Sequence, residues 1–233
     1  MKGILILALT AFISLNAEAS EQDWVSVGLA KSADRIQSPE SAYSDVNLHS
    51  KTLSLRGSVG FSNFGLDNFE RLSLEGSFQK SFSATDRSLL NTERYRAMFS
   101  FETASEESSY SLKPTLGFEL FQNNATSRTQ AFIQSQASTL FGASFKKEMG
   151  GHFSLGAAAL VTLAKDFSHH EFILSAGYQA SDNIALSFEL NRERVHQSAA
   201  DISVTSVRSF LFLTYMFGSK KVSNENSQSE VIP

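Results

Sequence analysis

Apolar and polar residues alternate along most of this chain, and the alternation divides it into strand-length segments. In the first, about Trp24 to Lys31, Val25, Val27 and Leu29 share one face. The second, Thr52 to Phe61, sets Leu53, Leu55, Gly57, Val59 and Phe61 against Ser54, Arg56, Ser58 and Gly60. The third, Arg71 to Ser83, sets Leu72, Leu74, Gly76, Phe78 and Phe82 against Ser73, Glu75, Ser77, Gln79 and Ser81. Tyr95, Ala97, Phe99 and Phe101 oppose Arg96, Met98, Ser100 and Glu102 in the fourth. Tyr110, Leu112, Leu116, Phe118 and Leu120 oppose Lys113, Thr115, Gly117 and Glu119 in the fifth. Successive side chains of a β-strand point to opposite faces, so each segment reads as a strand with one apolar side.

The second half repeats the pattern with smaller residues. A sixth segment, about Phe132 to Phe145, carries Ala137, Thr139, Phe141, Ala143 and Phe145 on its apolar face. Phe153 to Leu163 forms the seventh, Phe172 to Tyr178 the eighth and Ile184 to Leu190 the ninth. The tenth runs from about Ser206 to Phe217, with Leu211, Leu213, Tyr215 and Phe217 on one greasy, aromatic-ended face. About ten strands are predicted, with eight or twelve as alternatives; an even number suits a closed barrel with both ends on one side.

The N-terminus changes the picture. Lys2 precedes an apolar run from Gly3 to Leu15, and Ala17-Glu18-Ala19 has the small-x-small form of a signal-peptide cleavage site. Residues 1–19 are predicted to be a signal peptide for export through the inner membrane, residues 20–217 the barrel, and 218–233 a polar, disordered periplasmic tail. The chain has no cysteine, which excludes a disulfide framework, a lipidated cysteine and Cys-based metal sites. Its formal charge of −4 gives no reason to expect nucleic-acid binding.

The last strand carries a resemblance. Bacterial outer-membrane β-barrel proteins commonly end in a strand of alternating apolar residues with a terminal aromatic, which the assembly machinery reads. Leu211, Leu213, Tyr215 and Phe217 resemble that signal, although Gly218 and the polar tail follow Phe217. The resemblance is to the generic class and covers essentially the whole mature chain. It implies an all-β, closed antiparallel transmembrane barrel in the outer membrane of a Gram-negative cell. The partners it implies are outer-membrane lipid, lipopolysaccharide and the outer-membrane assembly machinery.

In that arrangement the links at about 32–51, 84–94, 121–131, 165–171 and 193–205 lie outside the cell. Those at about 62–70, 103–109, 146–152 and 179–183 lie inside, and the longer outer loops fit barrel asymmetry. Tyr110, Phe153, Tyr178, Tyr215 and Phe217 would mark the inner membrane edge, Tyr95 and Phe172 the outer. Pro114 falls inside the fifth strand, where a bulge is expected. Lys80 falls on an apolar face near its outer end, where it can snorkel. Val46 to Lys51 alternates out of phase with Leu53, which predicts a projection above the membrane or a bulge.

A soluble barrel or sandwich also has strands with one apolar face, and alternation alone does not say whether that face points in or out. The polar faces favour a barrel whose opposite charges pair across a narrow lumen. Arg56, Glu75, Arg96, Glu102, Lys113, Glu119, Glu189 and Arg208, with Glu171, form the predicted lumen charge network. Barrels of about eight strands are filled by side chains whereas those of about 16 to 18 hold channels, so a filled lumen with a structural or surface-interaction role is expected. The alternative is a narrow, porin-like pore for ions or small polar solutes, past small lumen residues such as Ser54, Ser58, Ser77, Gly156 and Ser175.

Enzyme chemistry has two weaker candidates. His152-Phe153-Ser154 has the His-x-Ser spacing of outer-membrane lipid A deacylases, but it would face the lumen at the inner edge, away from the outer leaflet. Asp166, His169, His170 and Glu171 in the fourth outer loop, with His196 in the fifth, loosely resemble the rim of outer-membrane proteases. The chain lacks matching paired Asp motifs, and a polar surface loop is the plainer reading. Asp166, His169 and His170 are also the weak candidates for metal ligands. No catalytic residue and no cofactor is assigned, since no phosphate loop or metal-ligand spacing occurs.

Overall fold

A computed structural model describes residues 23–37, 46–62, 71–85, 88–104, 110–127, 131–150, 152–198 and 202–217. The expected signal segment and tail lie outside these residues. The ten strands are β1 (Asp23–Gln37), β2 (Val46–Ser62), β3 (Arg71–Thr85), β4 (Ser88–Ala104), β5 (Tyr110–Ser127), β6 (Ala131–Glu148), β7 (Phe153–Ala164), β8 (Phe167–Ser181), β9 (Ile184–Gln197) and β10 (Ile202–Phe217). Each pairs antiparallel with its neighbours in sequence, and β1 pairs with β10 to close the barrel. That last ladder runs unbroken from Asp23 opposite Phe217 to Gln37 opposite Ser203. Closure leaves no sheet edge, which is what a β-structure surrounded by hydrocarbon requires.

The alternation resolves with the apolar faces outward. Leu29 is 66% exposed, Phe118 67% and Leu211 61%, while Ser54, Ser100 and Asn191 on the inner faces are fully buried. A soluble barrel or sandwich would bury the apolar faces instead. On β5 the outward face stays apolar from Tyr110 to Leu120. Ten residue steps of about 3.4 Å, tilted about 40°, rise about 26 Å, the height of a transmembrane band of about 25 Å. Aromatic pairs edge this band at the rim where β1 begins and β10 ends, here the terminal rim. They are Tyr110–Phe145 (6.0 Å between ring centroids), Phe153–Tyr178 (5.0 Å) and Tyr215–Phe217 (4.9 Å).

At the opposite rim the strands run further than the alternation predicts. The expected links 84–94 and 165–171 shrink to residues 86–87 and the turn Lys165-Asp166, because their remaining residues join β3, β4 and β8. The expected difference in loop length between the rims is therefore a difference in strand length. Beyond hydrocarbon a ladder needs only paired backbone groups, so apolar alternation stops while hydrogen bonding continues. This end is the extended rim.

No bulge forms at either Val46–Lys51 or Pro114, and of the two outcomes expected for Val46–Lys51 it is the extension past the apolar band that occurs. Val46–Lys51 continues β2 in constant register with β1, from Ile36 opposite Val46 to Trp24 opposite Ser58. The β4–β5 ladder skips the pairs opposite Lys113 and Pro114 and resumes in the same register at Ser100–Thr115. Pro114 lacks a donor, and the sheet loses local pairing without inserting a residue. The register shift that does occur lies between Gln179 and Ser181 on β8, at the terminal rim. Lys80 points outward and pairs with Glu93 at 2.6 Å.

Candidate functional site

The inner faces of β4, β5, β8, β9 and β10 converge on a buried cluster of charge. Arg94 and Arg96 stand two apart on β4, Glu119 on β5, His169 and Glu171 on β8, Asn191 and Glu193 on β9, and Arg208 on β10. All eight are buried. In strand order β8, β9 and β10 are separated from β4 and β5 by β6 and β7 on one side and by β1, β2 and β3 on the other. The contacts between these groups therefore cross the lumen.

Arg96 bridges the two walls. Its Nε donates to Glu119 Oε2 at 2.6 Å on the neighbouring strand, and its Nη2 donates to Glu171 across the barrel. Glu171 also accepts from the Asn191 amide. Arg94 reaches Glu193 at 2.9 Å across the lumen and Gln79 at 3.3 Å, and Arg208 meets the other Glu193 oxygen from the neighbouring strand at 2.5 Å. His169 Nδ1 donates to Glu119 Oε1 at 3.2 Å, while its Nε2 stands 3.3 Å from Glu193 Oε2 without making a hydrogen bond. Three guanidinium groups thus face three carboxylates, and the cluster is neutral when His169 is neutral. A charge inside a barrel survives only with such partners, since an unpaired one carries a desolvation penalty of several kcal/mol.

A second device fills the lumen below the cluster, toward the terminal rim. Phe210 and Phe212 point inward and stack at 5.2 Å, although they belong to the aromatic strand β10. Arg56 lays its guanidinium 4.2 Å from the Phe212 ring centre and donates to both oxygens of Glu189 at 2.9 Å. Gly28 makes the room: a Cβ there would stand 2.2 Å from the Phe212 ring. On the far wall Lys113 pairs with Glu75 at 3.0 Å. Glu102 stands apart from the cluster, toward the terminal rim of β4 opposite Arg71.

Each strand contributes a buried inward residue. Ala30, Ser54, Gln79, Arg96, Glu119, Leu140, Leu160, Glu171, Asn191 and Arg208 are each at most 9% exposed. Sequence reasoning missed Arg94, His169 and Glu193 as lumen groups because they fall in segments read as outer loops. The available signal was parity: Arg94 continues the face of Arg96, and Glu193 the face of Glu189 and Asn191.

The other candidates come apart. His169 and His170 are strand neighbours and point to opposite faces, one buried in the lumen and one exposed outside, while Asp166 is exposed in the β7–β8 turn. The three expected together in one loop are therefore not one site. His169, Glu171 and Glu193 do bring one ligand atom each within 4.8 Å of one another. Arg96 and Asn191 occupy Glu171, and Arg94 and Arg208 occupy Glu193, so a divalent cation would face guanidinium groups and the donor set does not fit a metal. His152 lies exposed in the β6–β7 turn, its ring 6.1 Å from Tyr178, and no hydrogen bond to Ser154 is found among the described residues. Leu211, Leu213, Tyr215 and Phe217 all face outward and are exposed.

The architecture is similar to solved outer-membrane barrels. An outer-membrane channel from Pseudomonas putida F1 matches over 86% of this chain and 97% of its own, at 12% identity and a TM-score of 0.56. The outer-membrane protease OmpT of Escherichia coli matches over 86% and 99%, at 12% identity and a TM-score of 0.48. Ail, the attachment invasion locus protein of Yersinia pestis, matches over 85% and 100%, at 15% identity and a TM-score of 0.39. No protein-family model and no curated protein matches the chain. The fold is that of the outer-membrane β-barrel proteins. At these identities the likeness concerns fold.

Proposed function

We propose that this protein resides in the outer membrane as a closed barrel, with a structural or surface-contact role rather than a conducting or catalytic one. The extended rim faces out of the cell and the terminal rim faces the periplasm. The observation that carries this reading is the section of lumen at Arg96, Glu119 and Glu171, where an inward residue from every strand is buried. Ion pairs across it tie opposite walls together. The apolar band of about 26 Å supports the location.

Single-channel recording in a planar lipid bilayer tests the reading. The inserted protein is expected to stay silent. The variant Arg96→Ala, which removes the bridge between the walls, is expected to produce discrete current steps. Reproducible conductance by the unaltered protein would overturn the closed-barrel reading in favour of a narrow polar pore.

A further inference from the structure

We propose that the outward face of the extended rim, across β9, β10, β1 and β2, binds a phosphate-bearing glycolipid headgroup of the lipid A type. The proposal rests on the outer-membrane reading and assigns residues to a lipid partner. Just past the last outward leucines of three strands, the same faces turn basic. Leu29 is followed on its face by Lys31, Leu53 by Lys51, and Leu190 by Arg192 and then Arg194. All four cations are exposed.

The registers put them on one surface. Lys31 lies directly opposite Lys51 across β1–β2 and opposite Ser209 on β10. Arg192 lies opposite Val207, which is itself opposite Ala33. Arg192 and Lys31 are thus two strands apart and two residues offset, about 12 Å between their Cα atoms at ordinary strand spacings. Flexible Lys and Arg heads can close that distance onto one headgroup.

Two observations point to an external anion. Like charges placed directly opposite each other in a sheet are unfavourable, yet Lys31 and Lys51 are so placed. No acidic residue faces outward beyond the apolar band among the described residues of β8, β9, β10, β1 and β2, and none of the four cations has an ion-pair partner among the described residues. The neighbouring sector shows the contrast: there Lys80 is neutralised by Glu93, which also accepts from the Tyr95 hydroxyl at 2.9 Å. The bare sector therefore offers Arg forks and Lys points to phosphate oxygens. The leucines directly beneath offer a surface for acyl chains. A soluble phosphate would use only the first of these; a phosphorylated lipid uses both.

The test reconstitutes the purified protein into phosphatidylcholine vesicles carrying bis-phosphorylated lipid A, dephosphorylated lipid A or phosphatidylglycerol, and reads lipid association and unfolding midpoint. Bis-phosphorylated lipid A is expected to bind best and raise the midpoint. The variant Lys31→Ser/Lys51→Ser/Arg192→Ser/Arg194→Ser is expected to lose about a hundredfold in affinity for it. Excess inorganic pyrophosphate is expected not to displace the lipid. Equal binding of the dephosphorylated lipid or of phosphatidylglycerol, displacement by pyrophosphate, or an unaffected variant would each overturn the proposal. Should the fourfold variant not fold, Lys51→Ser/Arg192→Ser carries the same comparison. Failure of the unaltered protein to insert into phosphatidylcholine would instead overturn the membrane reading.

Discussion

The lumen at Arg96 and the lumen at Ser175 are lined by the polar faces of the same strands, yet the inward groups are buried at the first and half-buried at the second. At Arg96 the inward groups are long and opposite in charge, and they meet across the barrel. Nearer the terminal rim, Ser144, Gly156 and Ser175 on β6, β7 and β8 are half-buried, while Phe210 and Phe212 project inward from β10 and Arg56 from β2. Polarity of the inner face therefore does not decide how deeply its groups are buried. Side-chain length and the partner available on the opposite wall do.

Four substitutions separate the two sections of lumen. Arg96→Ala should have the largest effect, because it leaves Glu119 without its 2.6 Å donor and Glu171 without its cross-lumen donor. Breaking one side of a buried pair costs about 3–5 kcal/mol. Urea unfolding from vesicles, followed by fluorescence of Trp24, the single tryptophan, would show this as a lower midpoint. Gly28→Ala should come next, at about 1–3 kcal/mol, since the added methyl meets the Phe212 ring in a filled section and overpacking forces movement. Arg56→Ala should cost about 1 kcal/mol in the same assay, through loss of the ring contact and a partly exposed ion pair with Glu189. Gly76→Ala should stay within about 0.5 kcal/mol, because nothing lies within 4 Å of the added methyl. If Gly76→Ala were as damaging as Gly28→Ala, packing of the lumen would not be what distinguishes them.

Much of the fold is legible in the chain because an apolar outer face and a polar inner face alternate along each strand with a period of two. Leu211, Leu213, Tyr215 and Phe217 announce the tenth strand, and the other apolar faces announce the rest. The strand ends at the extended rim are not legible in the same way. Arg94, His169 and Glu193 lie in polar segments, where pairing is by backbone and the side chains carry little periodic signal. Phe210 and Phe212 were readable by parity, since they alternate with Leu211 and Leu213, but apolar residues in a lumen run against the expectation for a polar interior. The charge pairs were legible only as a list of residues. Arg96 is separated from Glu171 by 75 positions, and nothing local relates them.

An all-β chain of about ten strands, each with one apolar side, follows from the order of residues, because side-chain direction along a strand is set by covalent geometry alone. The length of the strands beyond the apolar band and the joining of Glu119 to Glu171 by Arg96 came from the folded structure. Those outcomes depend on closure and register, which set the distances between residues far apart in the chain.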